Sequence, residues 1–206
     1  DYIDYTNINH TNGLMHVNNL NGNLVGEFYL NKTINGVYPI TLKTYYNTSD
    51  VLREKNNFAN GFKLNLYEEL ELTTIDTEEY IKYYDGTGSI YYFLKEEDIY
   101  KDEDNLNLEI KLVDNQYIMK DLYNNRKVFS LINNKYLLTK LVNNEGKEVS
   151  VEYSNNLISK IIDGNLEEIN LTYTDNLITI SSGYEVSYIN LLNNKVSSIL
   201  TKEGIT

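Results

Sequence analysis

From Tyr136 onward the sequence repeats itself every 20 residues, and a chain that repeats at this spacing folds as stacked copies of one supersecondary unit. Tyr136 to Tyr153 is followed by Leu157 to Tyr173; Leu137, Leu157 and Leu177 are spaced by 20 and 20, Tyr153 and Tyr173 by 20, and Leu192 to Ile199 restates the motif one residue short. Each unit reads as two short strands and two turns. One such unit cannot bury its apolar face alone, so neighbouring units must lie against one another.

Turn signals punctuate the chain at short intervals. Asn12-Gly13, Asn21-Gly22, Asn35-Gly36, Asn60-Gly61, Asp85-Gly86 and Asp163-Gly164 are dipeptides that accept positive φ and close type I′ hairpins. Between them run segments with strand alternation. Tyr38 to Tyr46 places Tyr38, Ile40, Leu42, Thr44 and Tyr46 on one face, with Pro39 near the strand start, where a missing amide costs least. Phe62 to Leu72 alternates likewise until Glu68, an acid on the apolar face, which predicts a bulge or a short break at Glu68-Glu69. Tyr80 to Tyr84, Ser89 to Leu94, Leu106 to Val113, Tyr117 to Asp121 and Lys127 to Leu131 complete the set. A helix over residues 68–80 is weighed for its Glu content, but Thr73-Thr74-Ile75 interrupts it and no 3.6-residue stripe persists.

Composition agrees with strands and turns: 31 Asn and 20 Tyr stand against a single Ala, Ala59, although a low-GC genome would also enrich Asn and Tyr. The expected fold is all-β: an antiparallel meander over residues 1–131 leading, without a break, into stacked β-hairpin repeats over residues 132–206, with a curved or spiralling sheet.

Charge and cysteine content exclude several functions. The formal net charge of −12 opposes nucleic acid and anionic membrane surfaces, both of which require accumulated Lys and Arg. Residues 68–104 hold 13 acids and three Lys, a local balance of −10, which leaves the repeats close to neutral as they stack. The absence of Cys removes disulfide scaffolds, thiolate metal sites and thiol catalysis. No stretch approaches the roughly 18 apolar residues that span a bilayer, and membrane insertion is not expected. The chain opens on Asp1 without Met or a signal-peptide pattern, and is therefore read as a fragment whose targeting sequence lies upstream.

Candidate chemistry is sparse. His10 and His16 lie six apart, outside chelating spacing, so no metal site is expected there. The acidic stretch 96–105 lacks the glycine and the alternating ligands of an EF-hand; it reads as a self-repelling solvated loop, with calcium left to experiment. No Gly-x-Ser-x-Gly, phosphate loop or triad His is present, and no pair of carboxylates can be singled out for glycoside hydrolysis, so neither catalysis nor a cofactor is expected. The adjacent pairs Tyr45-Tyr46, Tyr83-Tyr84 and Tyr91-Tyr92 are the candidate ligand contacts. Neighbouring strand residues point to opposite faces, so one ring of each pair is exposed on a one-sided sheet and can stack on a sugar while Asn side chains bind hydroxyls. Cross-strand pairing that stabilises register is the favoured alternative for these rings.

The repeat Leu157-x-x-x-Ile161-x-Asp163-Gly164-x-x-x-x-Ile169-x-Leu171-x-Tyr173 resembles the RHS/YD-repeat family, specifically wall-associated and toxin-delivery proteins of Gram-positive bacteria. Asn21-Gly22-Asn23-Leu24, Tyr38-Pro39-Ile40 through Tyr45-Tyr46-Asn47, Asn60-Gly61-Phe62-Lys63-Leu64 and Tyr83-Tyr84-Asp85-Gly86-Thr87-Gly88-Ser89 follow in the family's order, so the resemblance covers nearly the whole chain. Two departures stand out. Phe58-Ala59-Asn60-Gly61-Phe62 replaces a Gly-x-Gly-Trp cluster, and the Tyr-Asp signature is relaxed to Tyr153-Ser154-Asn155 and Tyr173-Thr174-Asp175. The resemblance implies an extracellular or cell-wall-associated, non-catalytic β-shell segment, with the remainder of a larger repeat protein as its partner in cis and a C-terminal toxin domain as cargo. The self-cleaving Asp-Pro of some members is absent. A carbohydrate-binding or adhesion module using exposed Tyr and Asn is the alternative.

Overall fold

The computed structural model describes residues 5–19, 22–34, 36–48, 58–183 and 185–206. Residues 1–4, and Asn21 and Asn35 of two expected turns, lie outside the described residues. The protein is all-β and antiparallel. The strands β1 (Tyr5–His10), β2 (Gly13–Asn18), β3 (Leu24–Lys32), β4 (Thr41–Asn47) and β5 (Phe62–Leu64) form one sheet in chain order. A second sheet begins with β6 (Glu69–Ile75), β7 (Glu78–Tyr84), β8 (Ile90–Glu96), β9 (Ile99–Asp102), β10 (Glu109–Val113), β11 (Gln116–Lys120), β12 (Arg126–Ile132) and β13 (Lys135–Val142). It continues through β14 (Glu148–Ser154), β15 (Leu157–Ile162), β16 (Glu168–Tyr173), β17 (Leu177–Ser182), β18 (Val186–Leu192), β19 (Lys195–Thr201) and β20 (Gly204–Ile205).

The meander from β6 to β13 closes on itself. β13 pairs with β12 from Arg126↔Val142 to Ile132↔Lys135, and with β6 through Tyr136↔Leu70 and Leu137↔Glu69. The result is an eight-stranded barrel, a size at which inward side chains fill the interior. Ile81, Phe93, Ile110 and Phe129 are wholly buried in the core. Along the edge facing away from β12, which stays paired to Val142, the second half of β13 passes β6 and pairs with β14 through Lys140↔Ser150 to Val142↔Glu148. One strand therefore serves both the barrel and the ribbon of repeats.

The break expected at Glu68-Glu69 is the point at which the chain changes sheets. β5 completes the five-stranded sheet and β6 starts the barrel, with residues 65–68 between them. Residues 68–80, weighed as a helix, form the hairpin β6–β7. Two expectations are corrected. Tyr38 and Pro39 lie in the loop before β4, because Tyr38 takes φ 75°, which no strand accommodates. Ile99 to Asp102, read as part of a solvated acidic loop, is the strand β9, paired on both sides. The hairpin β1–β2 and strand β3 were not anticipated from alternation.

Turn chemistry also differs from expectation. The two-residue hairpin turns with both central residues at positive φ are Asp76-Thr77, Asp114-Asn115, Asn133-Asn134, Asn155-Asn156 and Asn193-Asn194. Asn accepts this region because its short amide bonds locally, which gives the high Asn count a structural role. Asp85-Gly86 and Asp163-Gly164 instead open five-residue Asx turns. Asp85 Oδ1 accepts from Thr87 N and Ser89 N, and Asp163 Oδ1 from Asn165 N and Glu167 N. Asp121 and Asn143 build the same turn.

The five-stranded sheet packs on the repeat ribbon, and both share one continuous core with the barrel, from Phe28 and Leu42 through Phe93 to Ile189 and Ile199. Polar side chains fasten the layers. Asn31 Nδ2 donates to the carbonyls of Ile180 and Glu185 at 3.3 and 2.9 Å, and Asn60 and Asn194 pair through backbone and side chain. At Gly164 the fit is so close that a Cβ would stand 1.9 Å from the Val37 carbonyl oxygen.

Candidate functional site

The six tyrosines divide by strand alternation into an inward and an outward set. Tyr83 is 4% exposed and sits amid rings, 6.0 Å from Tyr91, 6.3 Å from Phe93 and 6.1 Å from Phe129 by centroids. Tyr83 and Tyr91 are directly opposed across β7 and β8, as cross-strand pairing predicts. Tyr46 packs on Phe62 at 4.8 Å, also against the core. These three rings are placed for packing, so the outward set narrows to Tyr45, Tyr84 and Tyr92. Tyr84 donates to Glu71 Oε2 at 3.0 Å on the outside of the barrel.

On the outer face of β3 and β4 a compact charged and aromatic cluster forms. Lys43 Nζ lies 2.6 Å from Glu27 Oε1 and 4.7 Å from the centre of the Tyr29 ring. Tyr45 flanks the same pair. Partial burial pushes Glu27 up, but bonds from Lys43 and Tyr29 outweigh it and hold the carboxyl below its ordinary value. Burial and then Glu27 push the Tyr45 phenol up. Tyr29 itself, absent from the sequence candidates because it has no tyrosine neighbour, is 48% exposed.

An ionic group built on the buried Glu68 and the partly exposed Lys127 ties parts of the barrel together. Lys127 Nζ donates to both Glu68 oxygens at 2.9 and 2.8 Å and to Tyr83 OH at 2.7 Å, while Tyr83 OH donates to Glu68 Oε2 at 2.7 Å. Glu68 is 5% exposed. The sequence signal was the acid on an apolar face at position 68; its partner lies 59 residues away and no local pattern names it. Burial foremost, then the Glu68 carboxylate, raises Tyr83 well above its ordinary range. Tyr38, held at positive φ before Pro39, stands within the field of this group: burial, Asp121 and Glu68 all push its phenol up. Through these bonds the group ties the segment just before β6 to β7 and β12.

The remaining candidates are simply placed. His16 Nδ1 lies 2.7 Å from Asn7 Oδ1, and His10 packs 6.4 Å from Phe28. Asp102 spends its carboxylate on the amides of Leu106 and Leu108, at 2.6 and 2.9 Å. Among the described residues no three His, Cys, Asp or Glu side chains gather as a metal-ligand group.

Two grooves border the packed layers. One, of about 530 Å³, runs between the β1–β2 turn and the β19–β20 turn and includes His10, Tyr29, Lys32, Glu185 and Lys202. The other, of about 370 Å³, is lined by Met15, Phe28, Tyr46, Phe62, Lys195 and Val196.

The fold defines an all-β antiparallel protein in which an eight-stranded barrel runs directly into a hairpin ribbon. No protein-family model matches the chain, and no curated protein matches it in sequence.

Proposed function

We propose that this chain is a non-catalytic structural segment of a larger secreted or cell-surface protein, in which the barrel caps a ribbon of RHS/YD-like repeats that helps to enclose or present a C-terminal effector. What supports the reading is the divided role of β13, whose first half pairs with β6 and whose second half pairs with β14. A sheet that starts at an open edge offers unpaired amides and carbonyls to any other strand. Closing β6–β13 into a barrel pairs the start of β6 with β13 and leaves the repeats to propagate from the other side. Protease digestion of the polypeptide encoded by the complete gene tests the proposal. The expected outcome is that the segment C-terminal to the repeats survives longer than the same segment expressed alone; equal rates of digestion overturn it.

A second reading, carbohydrate binding by outward tyrosines, is favoured by the cluster of Tyr29, Lys43, Glu27 and Tyr45 on the open face of β3 and β4. A glycan array at high protein concentration tests it, and a signal no higher than background removes it.

A further inference from the structure

The groove of about 530 Å³ is assembled from pieces far apart in the chain, residues 9–14, 29, 30, 32, 41, 185 and 201–203. Its size falls within the range of roughly 300–1,000 Å³ typical of small-ligand sites. Three contacts hold its walls before any ligand arrives. Thr201 Oγ1 donates to Asn12 Oδ1 at 2.8 Å, and Asn12 Nδ2 donates to the Gly204 carbonyl at 2.8 Å, so the two turns that face each other are tied. Gly13 lies so close to β3 that a Cβ would meet the Glu27 carbonyl oxygen at 2.0 Å, which seats the first turn firmly. A site fixed in this way loses little conformational entropy on binding.

The charges in the groove cancel. Lys32 and Lys202 stand against Glu185 and Glu203. Glu185 is committed on both sides, accepting from Lys32 N at 2.9 Å and pairing with Lys202 Nζ at 2.8 Å. A balanced groove creates no field that would select an anion or a cation. At its edge stands Tyr29, half exposed with Lys43 over its ring, and Asn9, His10, Thr41 and Glu203 add donors and acceptors to the lining. One rigid aromatic surface beside polar groups whose formal charges sum to zero matches a pyranose. Such a ring has an apolar C–H face to lay on the tyrosine and hydroxyls that both donate and accept.

We propose that this groove binds a neutral oligosaccharide, with Tyr29 as its stacking platform; the inference rests on the second reading above and assigns it a site. Calorimetric titration of the intact protein with cellotetraose, maltotetraose and chitotetraose, beside the anionic tetragalacturonate, provides the test. At least one neutral tetrasaccharide is expected to bind at millimolar concentration or below. Tyr29→Ala should weaken that binding about tenfold, while Tyr29→Phe and the distant surface change Tyr123→Ala leave it within about twofold. Circular dichroism checks that each variant remains folded. Neutral-sugar binding that survives Tyr29→Ala overturns the groove but leaves the wider carbohydrate reading standing. Tighter binding of tetragalacturonate than of every neutral sugar overturns the neutral assignment, and no binding of any of the four removes both.

Discussion

The phenol of Tyr173 donates a hydrogen bond of 2.8 Å to the carbonyl oxygen of Ile158, 15 residues upstream and one repeat strand away. Twenty residues earlier Tyr153 donates to Leu138 in the same way, at 2.7 Å. Each acceptor directly precedes Thr139 or Ser159, the extra residues at the register shifts between β12 and β13 and between β14 and β15. The repeat is thus a bulge whose carbonyl is satisfied by the tyrosine that closes the unit.

Replacing Tyr173 or Tyr153 by Phe keeps the ring and removes the donor. Each change should cost about 1 kcal/mol, the net worth of one such bond, and the two should be close to additive. Urea unfolding midpoints at constant slope are the measurement.

Alkaline pH should unfold the protein through its buried phenols. Burial raises Tyr83, Tyr153 and Tyr173 above their ordinary value of 10.0, and burial with Tyr100 and Tyr136 nearby pushes Tyr117 up to about 12. A phenol whose value is raised by folding stabilises the folded state fully below its unfolded value. That contribution is lost as pH climbs from about 10 through the folded value. Phenolate absorbance should therefore show that these buried phenols ionise only as the strand signal in circular dichroism collapses.

Leu166 occupies the left-handed position of its Asx turn with φ 66°, where the three equivalent turns carry Gly88, Asn124 and Gly146. Its side chain is 82% exposed and gives nothing to the core. Leu166→Gly should stabilise the protein by about 1 kcal/mol, because glycine takes this conformation without the Cβ clash. A lower thermal midpoint for the variant would contradict the account.

Lys127→Met should destabilise strongly, by about 3 kcal/mol, since Glu68 is left buried without its cation. Adding Glu68→Gln should restore part of the loss. A double-mutant cycle with no coupling between the two positions would show that the ion pair does not lock the barrel.

Gly164→Ala should loosen the contact between the β3–β4 loop and the ribbon, because the new Cβ would fall 1.9 Å from the Val37 carbonyl oxygen and backbone must move. The expected cost is about 1–3 kcal/mol. Hydrogen exchange should quicken at the Thr33 amide, which donates to the Ile40 carbonyl within that loop.

Much of the local structure was legible from the chain. Alternation marked residues 80–84 and 89–94 as strands, which the structure pairs with Tyr83 opposite Tyr91, and the 20-residue period marked the hairpins from β13 to β19. The acid at position 68 marked the change of sheet. The outward tyrosines followed from strand parity, but the pairing of Tyr29 with Lys43 depends on the register of β3 and β4, and the groove joins residues from both sheets.

The sequence alone determined that the chain is all-β, where most strands of the barrel and the repeats run and which face they bury, since those depend on contacts a few residues apart and on a side-chain period of two. Tertiary structure decided that the meander closes: Leu70 pairs with Tyr136, and Glu68 meets Lys127, across stretches that no local pattern links. A hairpin's partner is specified by its own turn. The partner of a barrel's first strand is specified only when seven others have taken their twist and stagger, and the cost of closing so long a loop is offset by the core that closure encloses.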